Sequence, residues 1–336
     1  MPHSADLLWG AVGDISRLAA LLTMAELGLA DHLAHGPLDT ADLATRCGAH
    51  APSLRRVLRE LAAMDLVRPA ATGADAYDLT KRGAALRSDV PDSVRTSIRV
   101  LGDEGFWYAL GSLPATVRAG RSAFVERYGH LYDHLANNPA SRRMFDDYMA
   151  ARAIPITEGL AERYRFPESA TMVDVAGGKG HILASVLRAN PRMRGILFDL
   201  AHVTERARQA LAAAGLADRC EVVPGDFFAG VPAGGDVYLL ANVLHNWDDG
   251  DAVRILRNVR RAMAPEGRVL VLEVVLPDNE EPHLGKDLDM RMLAIFNGGT
   301  ERSRGEYAAL LGQADLTLTQ VVELGSGAGL IEGSPR

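Results

Sequence analysis

Two kinds of hydrophobic spacing divide the chain near Phe166–Pro167. Upstream, apolar residues recur every three or four positions, the spacing of helices with one buried side. Leu7 to Leu29 is predicted as an apolar-rich helix. Its Leu18, Leu21, Leu22 and Met24 exceed what one side of a monomer buries, so the helix is expected to pack into a partner subunit. A helix–turn–helix and hairpin pattern follows. Thr40 is placed to cap a helix over Ala41–Cys47 and Ser53 to cap a second, with Leu54, Val57, Leu58 and Leu61 on one face. Leu66–Arg68 and Tyr77–Leu79 read as two short strands around a glycine-containing turn at Thr72–Asp75. That order is a winged helix. From Val94 to Ala153 helical spacing continues and is rich in aromatics, among them Phe106, Trp107, Tyr132 and Phe145.

Downstream, short aliphatic runs alternate with amphipathic stretches. Strands are predicted at Thr171–Ala176, Arg194–Asp199, Glu221–Pro224, Asp236–Ala241 and Arg268–Leu276, with helices to Asn190, over Val203–Ala214 and over Asp249–Met263. Strands separated by helices of this length predict an α/β fold, a parallel doubly wound sheet. Thr317–Glu323 and Leu330–Glu332 have no helix between them and should close the sheet as an antiparallel hairpin.

At 336 residues the chain suits two cores rather than one. A net charge of −7 gives no general pull toward nucleic acid or an anionic membrane. Cys47 and Cys220 lie far apart, so neither a disulfide framework nor a metal-type cysteine pair is expected, and no His/Cys cluster suggests a metal. The most apolar run, Leu18 to Ala30, is interrupted by Glu26 and reads as too short to span a bilayer. A cytoplasmic protein without a membrane segment is the expectation.

The chemistry lies where the predicted strands end, since open α/β sheets bind ligands beyond the carboxyl ends of their strands. The first strand runs into Val173–Asp174–Val175–Ala176–Gly177–Gly178–Lys179–Gly180. The dinucleotide fingerprint G-x-G-x-x-G does not fit, because a frame starting at Ala176 meets His181 where the last glycine belongs. The next strand ends in Asp199, 21 residues after Gly178, where a carboxylate can accept bonds from ribose hydroxyls. After the third come Gly225–Asp226–Phe227–Phe228, with Asp226 able to accept from an adenine amino group and Phe227 offering an apolar face. The fourth strand leads into Asn242–Val243–Leu244–His245–Asn246–Trp247.

The series VDVAGGKG, FDLAHV, PGDFF, NVLHNWDD, EGRVLVLEVVLP and GGTERS, behind a helical first half, resembles the class I S-adenosylmethionine-dependent small-molecule O-methyltransferases. That group includes plant caffeate and isoflavone enzymes and bacterial tailoring enzymes of antibiotic biosynthesis. The resemblance covers nearly the whole chain. It implies a winged-helix dimerisation domain over residues 1–90, a helical region over 91–166 that contributes to the substrate pocket, and a Rossmann-like catalytic domain over 167–336. It implies a homodimer through the N-terminal helices and S-adenosylmethionine as cofactor, held by Asp174, Gly177, Gly178, Gly180, Asp199, Leu200, Asp226, Phe227, Ala241 and Trp247. It makes His245 the general base for the acceptor hydroxyl, with Glu273 and Glu301 flanking it, either of them able to orient the imidazole. A pocket between the domains would be lined by Phe145, Met149, Met292 and Phe296, joined by Trp107, Asn246 and Asn297, and would favour a flat aromatic acceptor. Two positions depart from the plant pattern: Asn246 replaces an Asp after the histidine, and Ala241 replaces a Lys four residues before it.

Three other readings stand beside this one. Arg55, Arg56 and Arg59, with Lys81 and Arg82 near the wing, allow a winged-helix DNA-binding regulator, against which the net charge argues. A nicotinamide oxidoreductase is opposed by the failed fingerprint. A relative that binds S-adenosylmethionine but acts on another atom, or does not methylate, is excluded only by its products.

Overall fold

Alternation along the central strands decides the architecture. In a computed structural model describing residues 4–71, 75–91, 93–325 and 327–336 (backbone only for 4–7 and 155), the chain forms two units. The first takes residues 1–107 and 135–151, the second 108–134 and 152–336.

In the first unit, β1 (Leu38–Asp39), β2 (Val67–Pro69) and β3 (Ala76–Leu79) form an antiparallel sheet in the order β1-β3-β2, so the wing has a third strand that the hydrophobic pattern did not reveal. Most of the turn expected at Thr72–Asp75 lies outside the described residues. The helices Thr40–Cys47 and Ala51–Ala63 occur as the pattern predicts, but their caps differ. Asp39, one residue earlier, accepts the N–H of Asp42 at 2.8 Å, while Thr40 turns its N–H and hydroxyl onto Asp75 O, both at 3.0 Å. Thr40 therefore ties the helix to the wing instead of capping it. The second helix starts at Ala51 with Pro52 in its first turn, and Ser53 bonds His50 Nδ1 at 3.0 Å. Arg55 is taken up by Asp75.

The first helix runs Ser4–Glu26 and ends before Gly28, whose φ is +63°. Of the four residues expected to face a partner, Met24 is fully buried in the unit's own core and Leu18, Leu21 and Leu22 are half-buried, while Leu8, Trp9, Val12 and Ile15 are 60–72% exposed. Leu8–Glu26, 19 residues of mean hydropathy 1.2, is long and apolar enough to cross a membrane, contrary to the sequence expectation, because isolated charges such as Asp14 and Arg17 are diluted by their neighbours. The helical stretch predicted from Val94 to Ala153 is broken into shorter pieces by Gly102, Ser112, Gly120, Gly129 and Asn138, and only Pro139–Arg163 is long.

In the second unit, β4 (Thr171–Val175), β5 (Arg194–Asp199), β6 (Cys220–Pro224), β7 (Val237–Ala241) and β8 (Arg268–Leu276) are parallel, with a two-residue strand β9 (Arg302–Ser303) paired to β8. The hairpin is longer than predicted, β10 (Leu316–Gly325) and β11 (Ala328–Pro335), and the order is β10-β11-β8-β7-β4-β5-β6. Strand order reverses between β4 and β7, which opens a crevice at their carboxyl ends. Met172, Leu197, Leu239 and Leu270 face one hydrophobic layer; Val173, Val175, Tyr238, Leu240 and Val271 face the other. Burial on both faces is why these strands read as unbroken apolar runs.

Leu239 stands in β7, between β4 and β8, with no exposed surface. Leu239→Ala should cost about 2–5 kcal/mol, read as a lower urea midpoint at unchanged slope. A cost below 1 kcal/mol, roughly the value of a surface change, would contradict this packing.

Candidate active site

The loop after β4 is shaped by what lies beneath it. Ala176 takes φ +58°, held by its N–H to Phe198 O at 2.7 Å. At Gly177 a Cβ would stand 2.5 Å from Asp174 Oδ2, so only glycine lets the backbone pass over that carboxyl. Gly178, at φ +58°, donates its N–H to Asp199 Oδ2 at 2.9 Å, and a Cβ there would meet only open space. Leu200 N–H binds the other oxygen of Asp199 at 2.6 Å. Gly180 starts the helix His181–Ala189. Burial pushes the Asp174 carboxyl up to about 7, with the Asp199 charge adding to it; burial also raises Asp199, against the pull of its two amides.

Beyond β6, Asp226 Oδ1 accepts Phe228 N–H at 2.8 Å, and Phe227, Phe228 and Trp247 pack edge to face. Asn258 donates to the carbonyls of Phe227 and Phe228. Ala241 ends β7 half-buried.

The turn after β7 carries His245, 6% exposed, in a short 3₁₀ segment Leu244–Asn246. Its Nδ1 lies 2.9 Å from Glu301 Oε1. Of the two acids flanking the histidine in the family pattern, Glu301 alone reaches the ring. Glu273 points at the backbone instead, since it stands on β8 one residue past Leu272, which pairs with the last residue of β7: Oε1 accepts Val243 N–H (2.9 Å) and His245 N–H (3.1 Å), and Oε2 accepts the hydroxyl of Tyr307 (2.5 Å). Burial pulls the imidazole down, but the Glu301 bond and the charges of Glu273 and Glu301 outweigh it and hold His245 above 6.5. Glu301 is itself placed by Asp289, whose Oδ1 accepts its N–H at 2.8 Å.

Several residues at this site gave no sequence signal. Arg302 is 1% exposed and donates to Leu244 O (3.1 Å), Trp247 O (2.8 Å) and Asp249 Oδ1 (2.9 Å), fixing the carbonyls of the His245 turn. Tyr132 OH accepts Asn246 Nδ2–H at 3.2 Å, Asn246 also binding Asn242 O at 3.1 Å. Tyr132 itself is 48% exposed. Tyr132 lies beside Phe296, rings 6.4 Å apart. Asn297 Oδ1 accepts Ser122 N–H at 2.8 Å, and Met292 is half-buried on the helix Leu284–Ile295. Trp107, Phe145 and Met149 belong to the first unit, where Phe145 stacks on Phe106 at 6.3 Å. Among the described residues no group of three or more His, Cys, Asp or Glu is arranged to hold a metal ion.

A sequence model of the O-methyltransferase domain matches residues 107–317, and one of the O-methyltransferase dimerisation domain matches residues 11–89. The chain belongs to the O-methyltransferase family. Relatives of the enzyme include a phenazine O-methyltransferase of Lysobacter antibioticus, 39% identical over 317 residues that cover 94% of this chain and 92% of the relative. The crystal structure of an O-methyltransferase from neocarzinostatin biosynthesis, in complex with S-adenosylmethionine and 2-hydroxy-5-methyl naphthoic acid, aligns at TM-score 0.86 and 34% identity over 97% of this chain and 98% of that one. The aclacinomycin 10-hydroxylase of Streptomyces purpurascens is 36% identical over 325 residues, 96% of this chain and 87% of its own. Relatives of this enzyme thus include one named for a hydroxylation.

The strand ends suit a cationic nucleoside: a glycine cradle with open space above Gly178, a carboxylate held by two amides, and a second buried carboxyl below. Asp174 makes the site sensitive to pH in the ligand-free enzyme. Its carboxyl titrates at about 7 when folded, against 3.8 for an ordinary aspartate, so between those values the native state holds the extra proton and stability falls as pH rises. The unfolding free energy should therefore decline over that window by up to about 1.4 kcal/mol per pH unit, seen as a falling thermal midpoint, and Asp174→Asn should flatten the decline. An identical slope in the variant would dismiss the assignment.

Proposed function

We propose that this enzyme methylates a hydroxyl group of a small aromatic acceptor, with His245 as the general base. S-adenosylmethionine is the cofactor, and when bound it supplies a methyl group activated by its sulfonium. The observation that carries the reading is the buried His245–Glu301 pair on the turn after β7, on the same sheet end as the Asp199 carboxylate.

Asp199, its oxygens already oriented by Gly178 and Leu200, is suited to accept bonds from the ribose hydroxyls, while Asp226 and Phe227 are suited to the base. Ala241, Trp247 and Leu200 would complete this side, with Asp174 and Gly180 supporting the loop. Glu301 on Nδ1 fixes the tautomer in which Nε2 is the basic nitrogen, and it stabilises the imidazolium formed when the acceptor proton arrives. His245 would take the hydroxyl proton at Nε2, and the bound cofactor would supply the methyl group, its sulfonium leaving as a neutral thioether. Asn246, Met292, Phe296 and Asn297, with Trp107, Phe145 and Met149, are the residues we assign to the acceptor. The naphthoic acid bound by the neocarzinostatin enzyme supports an aromatic one.

A homodimer is part of the proposal. Leu8, Trp9, Val12 and Ile15 give the first helix an apolar face, inside or next to the matched dimerisation domain. The hydroxylase among the relatives makes product identity the decisive readout. Mass spectrometry of a hydroxylated aromatic after turnover should show one added methyl group on oxygen.

His245→Ala should lower kcat by roughly 10²–10⁴-fold with cofactor affinity nearly intact, and the acid limb of the wild-type rate profile should lie above pH 6.5. Wild-type turnover in that variant would remove His245 as the base. Asp199→Ala should weaken cofactor binding by roughly 10–100-fold in calorimetry, the value of bonds to a charged group. Unchanged affinity would refute the ribose assignment.

A further inference from the structure

Glu273 spends all its hydrogen bonding away from the imidazole. One oxygen holds two alternate amides of the base-bearing turn, Val243 and His245, and the other accepts the Tyr307 hydroxyl. Glu273 and Tyr307 are each 1% exposed, so solvent relieves neither. Tyr307 is fixed from two directions. It stands on the helix Arg304–Gln313, whose first turn is locked by a capping box between Ser303 and Glu306, and that helix follows β9, which pairs with the end of Glu273's own strand. Burial, and then the Glu273 charge, hold the Tyr307 phenol well above 10, so the hydroxyl remains a donor throughout the working range.

We propose that Tyr307 is a positioning residue for His245, acting through Glu273: the phenol secures one carboxylate oxygen so that the other can hold both amides of the turn. The catalytic part of this inference rests on His245 being the base. The charged groups around the imidazole are Glu301 in direct contact, Glu273 beneath the turn and Arg152 on the helix Pro139–Arg163; Arg302 and Glu301 face the phenol. Without the phenol, Glu273 keeps a buried oxygen with no donor. A charge left in that state is relieved by taking up a proton or by shifting, and both loosen the two amides. Both also remove a negative neighbour that favours the imidazolium, so the basicity of His245 should drop.

The test is Tyr307→Phe, read by NMR titration of the histidine ring signals, with the His245 signal assigned by its loss in His245→Ala. The His245 titration should move down by roughly one pH unit. Turnover should fall roughly tenfold to a hundredfold, as expected for a displaced base, and cofactor affinity should stay within about twofold. In a Glu273→Gln background the same substitution should add no further change, because its effect passes through that carboxylate. A His245 titration unmoved in folded Tyr307→Phe overturns the proposal, and so does an equal effect of the substitution in the Glu273→Gln background. Should Tyr307→Phe fail to fold, Glu273→Gln and the double variant carry the comparison, since neither retains the buried charge. Equal His245 titrations in those two uphold the proposal and different ones overturn it. A lowered titration with wild-type turnover would uphold the coupling while counting against His245 as the base.

Discussion

A carboxylate in a protein core must receive its hydrogen bonds from its neighbours, and the turn after β7 is organised around that demand. The turn belongs neither to the strand before it nor to the helix Asp249–Ala262 after it, so its own amides and carbonyls lack ladder partners. Glu273 takes the amides of Val243 and His245, while Arg302 takes the carbonyls of Leu244 and Trp247. Each buried ion is satisfied by the backbone groups it satisfies in return. The imidazole inherits its rigidity from this exchange and needs few side-chain contacts of its own beyond Glu301.

The other half of the site carries the opposite tension. Asp174 and Asp199 lie close enough for the charge of one to raise the other, and burial holds both carboxyls above their ordinary range. In the ligand-free chain this costs stability. Under the proposed reading a sulfonium would relieve it, so part of the cofactor affinity is prepared by crowding two carboxyls at the crevice.

The sheet was legible because its strands are buried on both faces and its ligand loops sit at fixed places along them. VDVAGGKG and the Asp199 spacing located the crevice end of the strands from the chain alone. Features set by one-residue offsets or distant pairs were not legible. Thr40 and Asp39 are both good caps, and only the wing's Asp75 carbonyl, far along the chain, decides between them. Glu273 and Glu301 were equivalent as acids flanking a histidine; the structure turns one to the backbone and the other to the ring. Arg302 gave no signal in the sequence, and it binds carbonyls more than fifty residues earlier in the chain. The apolar face of the first helix was assigned to residues nearer its C-terminus, because which leucines the unit's own core absorbs depends on packing and not on spacing.

The small strand β9 returns the chain to where β8 left off, with Arg302 opposite Val275 and Ser303 opposite Leu276. The excursion between them is therefore a detour that brings the chain back beside its starting point. Residues added or removed on its outer arc, between Pro277 and the helix Leu284–Ile295, leave both ends where they are. Asp289, which grips Glu301, has to keep its distance, as do Ala294 and Asn297, which bind Ser122. A lineage built this way can vary the stretch carrying Met292 and Phe296 through insertions and deletions while its proton-handling apparatus stays in register.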